Sequence, residues 1–135
     1  HAELNSRLKD YYDLWLISST FTFELKDLQK AIETTFATRD TEIPNERPIA
    51  LSVEFANANQ TRWENFLSKI NLQNNKANNF EMVINKIWNF IRTPLQISSQ
   101  EKNKKWKPNN NYNTNNKNKI NIYKFFKFIY SLNFE

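Results

Sequence analysis

Arg7, Lys9, Asp10 and Asp13 stand close together in the run SRLKDYYD. At 100° per residue of α-helix, Asp10 and Asp13 lie about 60° apart and Lys9 about 40° from Asp13, away from the apolar stripe of the same segment. One helix face then offers two carboxylates with an ammonium beside them. Such a group can hold a divalent cation through oxygen ligands, or bind a phosphate through the lysine while a carboxylate orients an attacking hydroxyl. The same spacing also describes an ordinary solvated face with Lys9 and Asp13 as an i,i+4 pair, and K-D-x-x-D is too short to choose between these readings.

Other chemistries are removed by composition. The 135 residues contain no glycine and no cysteine. Phosphate-cradling loops of the Walker or dinucleotide type need residues without Cβ and cannot be written here, and primed hairpin turns lose their usual residues. Disulfides, thiolate metal sites and cysteine nucleophiles are absent together. The single histidine is His1, which reads as the remnant of an added tag, so a Ser-His-Asp triad and a histidine metal site are excluded too. No apolar run reaches membrane-spanning length and no signal peptide opens the chain, so the expectation is a cytoplasmic protein without a membrane partner.

The elements that must position the charged run follow from periodicity. Leu4, Leu8, Tyr11, Tyr12, Trp15 and Leu16 form a helical stripe, which predicts a first helix over about residues 3–18. Phe21 and Phe23 alternate with threonines in a short extended link. Leu25, Leu28, Ala31, Ile32, Thr35 and Phe36 predict a second helix over 25–38, stopped where Asp40 can take the left-handed conformation that glycine usually fills. After a loop bracketed by Pro44 and Pro48, Ser52 is an N-cap for a short helix, and Asn59 for a longer one with Trp63, Phe66, Leu67 and Ile70 on its core face. Asn71 to Asn79 is a polar connector. Phe80, Val83, Ile84, Ile87, Trp88 and Ile91 predict a last helix ending near Thr93-Pro94. Stripes of this kind must bury against one another, so the expected fold is a small all-α bundle of four to five helices, with Trp15, Trp63 and Trp88 in its core.

The formal net charge of +5 is unevenly spread. The first 100 residues hold 11 Lys+Arg against 12 Asp+Glu, and the last 35 hold 8 against 2. Residues 1–98 are therefore read as a nearly neutral helical domain and 99–135 as a basic Asn/Lys-rich tail, largely disordered or loosely packed. Residues 115–130 use only Asn, Lys, Ile, Tyr and Phe, the types encoded by A/T-only codons, which suits a very AT-rich genome or a frameshifted extension, the latter being the reading held here. An RNA-binding arm that stacks Trp106 or Tyr112 is the competing reading.

Taken together, RLKDYYDLWLIS (Arg7–Ser18), FTFELKDLQKAIETTFATRDTEIP (Phe21–Pro44) and ALSVEFANANQTRWENFL (Ala50–Leu67) resemble the C-terminal half of the nucleotidyltransferase AbiEii/AbiGii toxin family, over roughly residues 4–95. The resemblance implies a polymerase-β-like nucleotidyltransferase of toxin–antitoxin or phage-abortive systems, using a nucleoside triphosphate and Mg. In such proteins the Gly-Ser turn and Asp-x-Asp metal ligands belong to an N-terminal α/β domain, and this chain corresponds to the helical half. It implies catalytic roles for Lys9, Asp10 and Asp13, led by Asp10 as the required carboxylate, with Arg7 and Lys9 on the nucleotide and no metal ligand in this half. The implied partners are the N-terminal domain, a cognate antitoxin, and tRNA or another RNA acceptor. Asp40 stands where the family usually has glycine, and Trp106-Lys107-Pro108 runs into asparagines where a Trp-x-Pro-Gly pattern is usual. The expected function is one wall of an NTP/RNA site, inactive without the N-terminal part. The alternatives are a non-catalytic module that binds an antitoxin or RNA, and an inactive truncated relic.

Overall fold

A computed structural model describes residues 2–43, 45–70, 76–101 and 103–108. Among these residues the chain is mostly helical, with one minor two-stranded sheet. In order, the elements are α1 (Ala2–Thr20), β1 (Phe23–Glu24), α2 (Leu25–Thr38), a 3-10 turn (Ile49–Leu51), α3 (Val53–Ala58), α4 (Gln60–Lys69), α5 (Phe80–Leu95), a second 3-10 turn (Ser99–Glu101) and β2 (Lys105–Trp106). Residues 109–135, with the frameshift reading and the Tyr112 arm, lie outside the described residues, as does the side chain of Leu4.

The first helix exceeds its expected end by two residues. Ser18, Ser19 and Thr20, expected to end the helix, stay within it, the hydroxyls of Ser18 and Thr20 donating back to Trp15 O (2.8 Å) and Leu16 O (2.6 Å). Its buried face is also wider and turned from the expected stripe. Leu16 is 43% exposed, whereas Leu14 and Ile17 are buried beside Leu8, Tyr11 and Tyr12. The cause is cover from several sides: Tyr11 meets Phe55 of α3 and Phe80 of α5, Tyr12 meets Trp63 of α4, and Ser18 O accepts from Trp106 of β2.

The second helix has the expected bounds. Asp40 takes φ 51°, and the amides of Asp40 and Thr41 return to Ala37 O and Phe36 O, both at 3.0 Å, which is the Schellman arrangement with aspartate in the glycine position. Ser52 caps α3 by accepting from the Phe55 amide at 3.1 Å. Asn59 does not cap α4. It stands between the two helices with no side-chain cap bond, and its Nδ2 donates back to Phe55 O at 2.9 Å, so it joins α3 to α4. The start of α5 is fastened by Asn79, which accepts from the Met82 amide, and by Gln60, whose Oε1 accepts from the Phe80 amide and whose Nε2 donates to Asn78 O. Pro94 falls in the last turn of α5, where it cannot supply an i→i−4 donor, and the helix closes one residue later at Leu95.

The core is an aromatic stack with aliphatic cover. Trp63 and Phe80 are fully buried, with ring centroids 4.4 Å apart and planes within 8°, and the Trp63 indole donates to Ala77 O. Trp15 and Trp88 are only half-buried at the rim of this core. Trp106, assigned from sequence to the tail, is packed onto the bundle. It pairs with Phe23 across the β1/β2 ladder, meets Phe90 edge-on at 5.2 Å and donates to Ser18 O at 2.9 Å. The packed unit therefore continues past residue 98.

Candidate functional site on the first helix

Rotation of α1 is set by Tyr11. Its ring is buried between Phe55 and Phe80, and its hydroxyl donates to Ala50 O at 2.6 Å. With that face anchored inward, helical spacing distributes the four charged residues over a fan of about 160° in the order Lys9, Asp13, Asp10, Arg7.

The two edges of the fan differ. Lys9 Nζ lies 2.8 Å from Asp13 Oδ2, with the lysine side chain 68% exposed and the aspartate 32%. The hydrogen bond to Asp13, then its charge, raise the Lys9 pKa above the ordinary lysine value, with Asp10 adding to the rise and slight burial opposing it. Water screens a pair this exposed, which makes it a weak contributor to stability. Asp10 and Arg7 are half-buried on the other flank, and both are engaged by other groups of the protein. The Arg7 charge reaches Tyr11, where it opposes the upward push that burial exerts on the phenol pKa.

The structure therefore brings Lys9 and Asp13 together and sets Asp10 with Arg7 toward the packed flank. Such a helix can offer an ammonium and a guanidinium to a phosphate from two sides, with carboxylates between them. Among the described residues no group of three or more His, Cys, Asp or Glu side chains could hold a metal ion. Among the same residues no helix is long and apolar enough to cross a membrane.

A second polar assembly lies on α5 and was not singled out from sequence. Arg47, in the loop before the first 3-10 turn, donates through Nε to Leu51 O (2.6 Å) and through Nη2 to Asn85 Oδ1 (2.6 Å). One turn further along, Arg92 Nη2 donates to Asn89 Oδ1 at 2.9 Å. Burial lowers the Arg47 pKa and Arg92 lowers it further, while Glu54 and Glu81 act in the opposite sense. The spacing of Asn85, Asn89 and Arg92 was open to inspection in the sequence. The attachment of Arg47 to it, 38 residues away, was not.

Compared with known proteins, the chain matches the family model described as nucleotidyl transferase AbiEii toxin, type IV TA system, over residues 1–88. That span includes the whole α1 fan and ends within α5. Comparison with curated proteins and comparison with solved structures give no match.

Proposed function

The chain belongs to the AbiEii nucleotidyl transferase toxin family of type IV toxin–antitoxin systems, and from that membership we propose that it forms the helical wall of a nucleotide and RNA site. The observation that carries the reading is the α1 fan, in which Lys9, Asp13, Asp10 and Arg7 lie on a helix whose rotation Tyr11 locks. Arg7 and Lys9 would meet the phosphates of a nucleoside triphosphate from the two edges. Asp13 holds the Lys9 ammonium in place. Asp10, on the more enclosed flank, would position the nucleotide or the incoming acceptor. The metal ligands and the glycine-containing turn would come from an N-terminal domain, and Mg would there supply charge neutralisation on the phosphates. A cognate antitoxin is the expected protein partner.

The test is nucleotide-dependent labelling of an RNA acceptor by a protein in which an N-terminal domain carrying the Gly-Ser and Asp-x-Asp elements is joined to this chain. Transfer is expected with the joined protein and not with this chain alone, and Asp10→Ala should abolish it while leaving the helical content unchanged. Asp10→Asn, which keeps shape and removes charge, should lower kcat more than it raises KM. Full transfer and toxicity with Asp10→Ala would remove Asp10 from the site.

A further inference from the structure

The last turn of α1 is the part of that helix its own residues support least. Ser18, Ser19 and Thr20 are weak helix formers, no basic side chain stands in the turn, and the left-handed glycine that commonly closes a helix is not in the sequence. Its carbonyls are satisfied piecemeal instead. Leu16 O accepts from the Thr20 hydroxyl, Ile17 O from the Phe21 amide at 3.1 Å, and Ser18 O from the Trp106 indole at 2.9 Å. The donor that completes the turn thus comes from outside the helix. Withdrawing it returns Ser18 O to water and leaves a turn of weak helix formers without that support, the condition in which helix ends fray.

The segment that carries the indole is lightly attached. Residues 103–106 reach the bundle through a short ladder with β1, in which Phe23 faces Trp106 and the Leu25 amide donates to Lys104 O at 2.9 Å. They also reach it through the edge contact of Trp106 with Phe90 and through the indole hydrogen bond itself. A further tie, Lys105 with Glu24 at 3.7 Å, is exposed and screened by water. The neighbouring 3-10 turn is closed by its own bonds, with the Glu101 amide on Ser98 O and Lys104 Nζ 2.7 Å from Glu101 Oε2. The Trp63–Phe80 stack and the Gln60 ties at the heart of the bundle are made by other residues.

We propose that residues 103–106 form a strap that releases from the bundle without global unfolding, with Trp106 as its bolt, and that the last turn of α1 orders and frays with it. With the strap closed, α1 runs to Thr20. With it open, α1 ends where the serine run begins, and the rings of Phe23 and Phe90 lose their cover. The two segments make one switch with two positions, and the coupling between them acts equally in both directions. The switch does not depend on the transferase reading.

The experiment is amide hydrogen exchange, followed by NMR on the full chain under conditions where rates report opening equilibria. The Leu25 amide reads the strap, the amides of residues 18–21 read the turn, and those of residues 83–87 in α5 read global opening. Leu25 and residues 18–21 are expected to share one degree of protection, lower than that of 83–87. Trp106→Phe keeps a ring against Phe90 and removes the N–H donor. It should speed exchange at Leu25 and at 18–21 about fivefold and leave 83–87 unchanged. Ser19→Gly, a change within the turn, should speed the Leu25 amide about twofold. Equal protection of 18–21 and 83–87, or a Trp106→Phe variant that speeds all three groups alike, would overturn the strap as a separately opening unit. A Leu25 amide that speeds in Trp106→Phe without residues 18–21, or that is unchanged in Ser19→Gly, would overturn the coupling.

Discussion

Lys9 on α1 and Arg47 on the surface of α5 are both cations with a polar partner, yet they are held in opposite ways. Lys9 pairs with a carboxylate one turn away on its own helix, is mostly exposed, and has its charge offset by the partner's. Arg47 crosses from a loop to a helix, is half-buried, and is held by a carbonyl and an amide that orient it without neutralising it. The first arrangement is cheap to rearrange, which suits a residue that must exchange its partner for a phosphate. The second fastens a loop to the helix without a direct ion pair.

The comparison can be broken at four places. The largest effect is expected at Asp10, where alanine in the complete enzyme should cost on the order of 100-fold or more in transfer rate with little change in Tm. A fall in Tm matching the loss of activity would make Asp10 a fold residue and erase the contrast with Arg47. Next is Arg47→Leu, which leaves Leu51 O and Asn85 Oδ1 without their donor. Urea denaturation should show a loss of about 1–3 kcal/mol. Trp106→Phe keeps the edge contact with Phe90 but removes the hydrogen bond to Ser18 O. It should cost about 1 kcal/mol, which would place the far end of α1 under the control of β2.

The smallest effect belongs to Lys9→Met, at about 0.3–0.5 kcal/mol at neutral pH and low salt. Its sign is set by the raised pKa of Lys9 in the folded protein. The contribution is fully present below the unfolded lysine pKa and disappears as pH rises through the folded one. Wild type and variant should therefore converge in stability as pH rises through the folded lysine pKa, and high salt should bring them together at neutral pH.

What could be read in advance divides along the same line. The second helix was legible at both ends because its stripe and its Asp40 stop are local. The Lys9 and Asp13 pair was legible because i,i+4 neighbours meet wherever the helix forms. Leu16 was misplaced because periodicity shows that a helix has an apolar side without showing how many neighbours cover it. Trp106 was misplaced because its composition belongs to the tail, while its hydrogen-bond partner, Ser18 O, lies 88 residues earlier. Gln60 left no local trace at all, since its role is to tie Phe80 and Asn78 to the start of another helix.

Residue types and short-range spacing were sufficient to establish a helical chain, its charged fan, its glycine-free turn and its family likeness, because helices, caps and i,i+4 pairs are settled within a few residues. Tertiary structure alone decided which way the fan faces, through the hydrogen bond of Tyr11 to Ala50 O, and set Arg47 on Asn85 and Trp106 on Ser18. Those contacts join residues 38 to 88 positions apart, and burial and hydrogen-bond satisfaction across such distances exist only once the elements have packed.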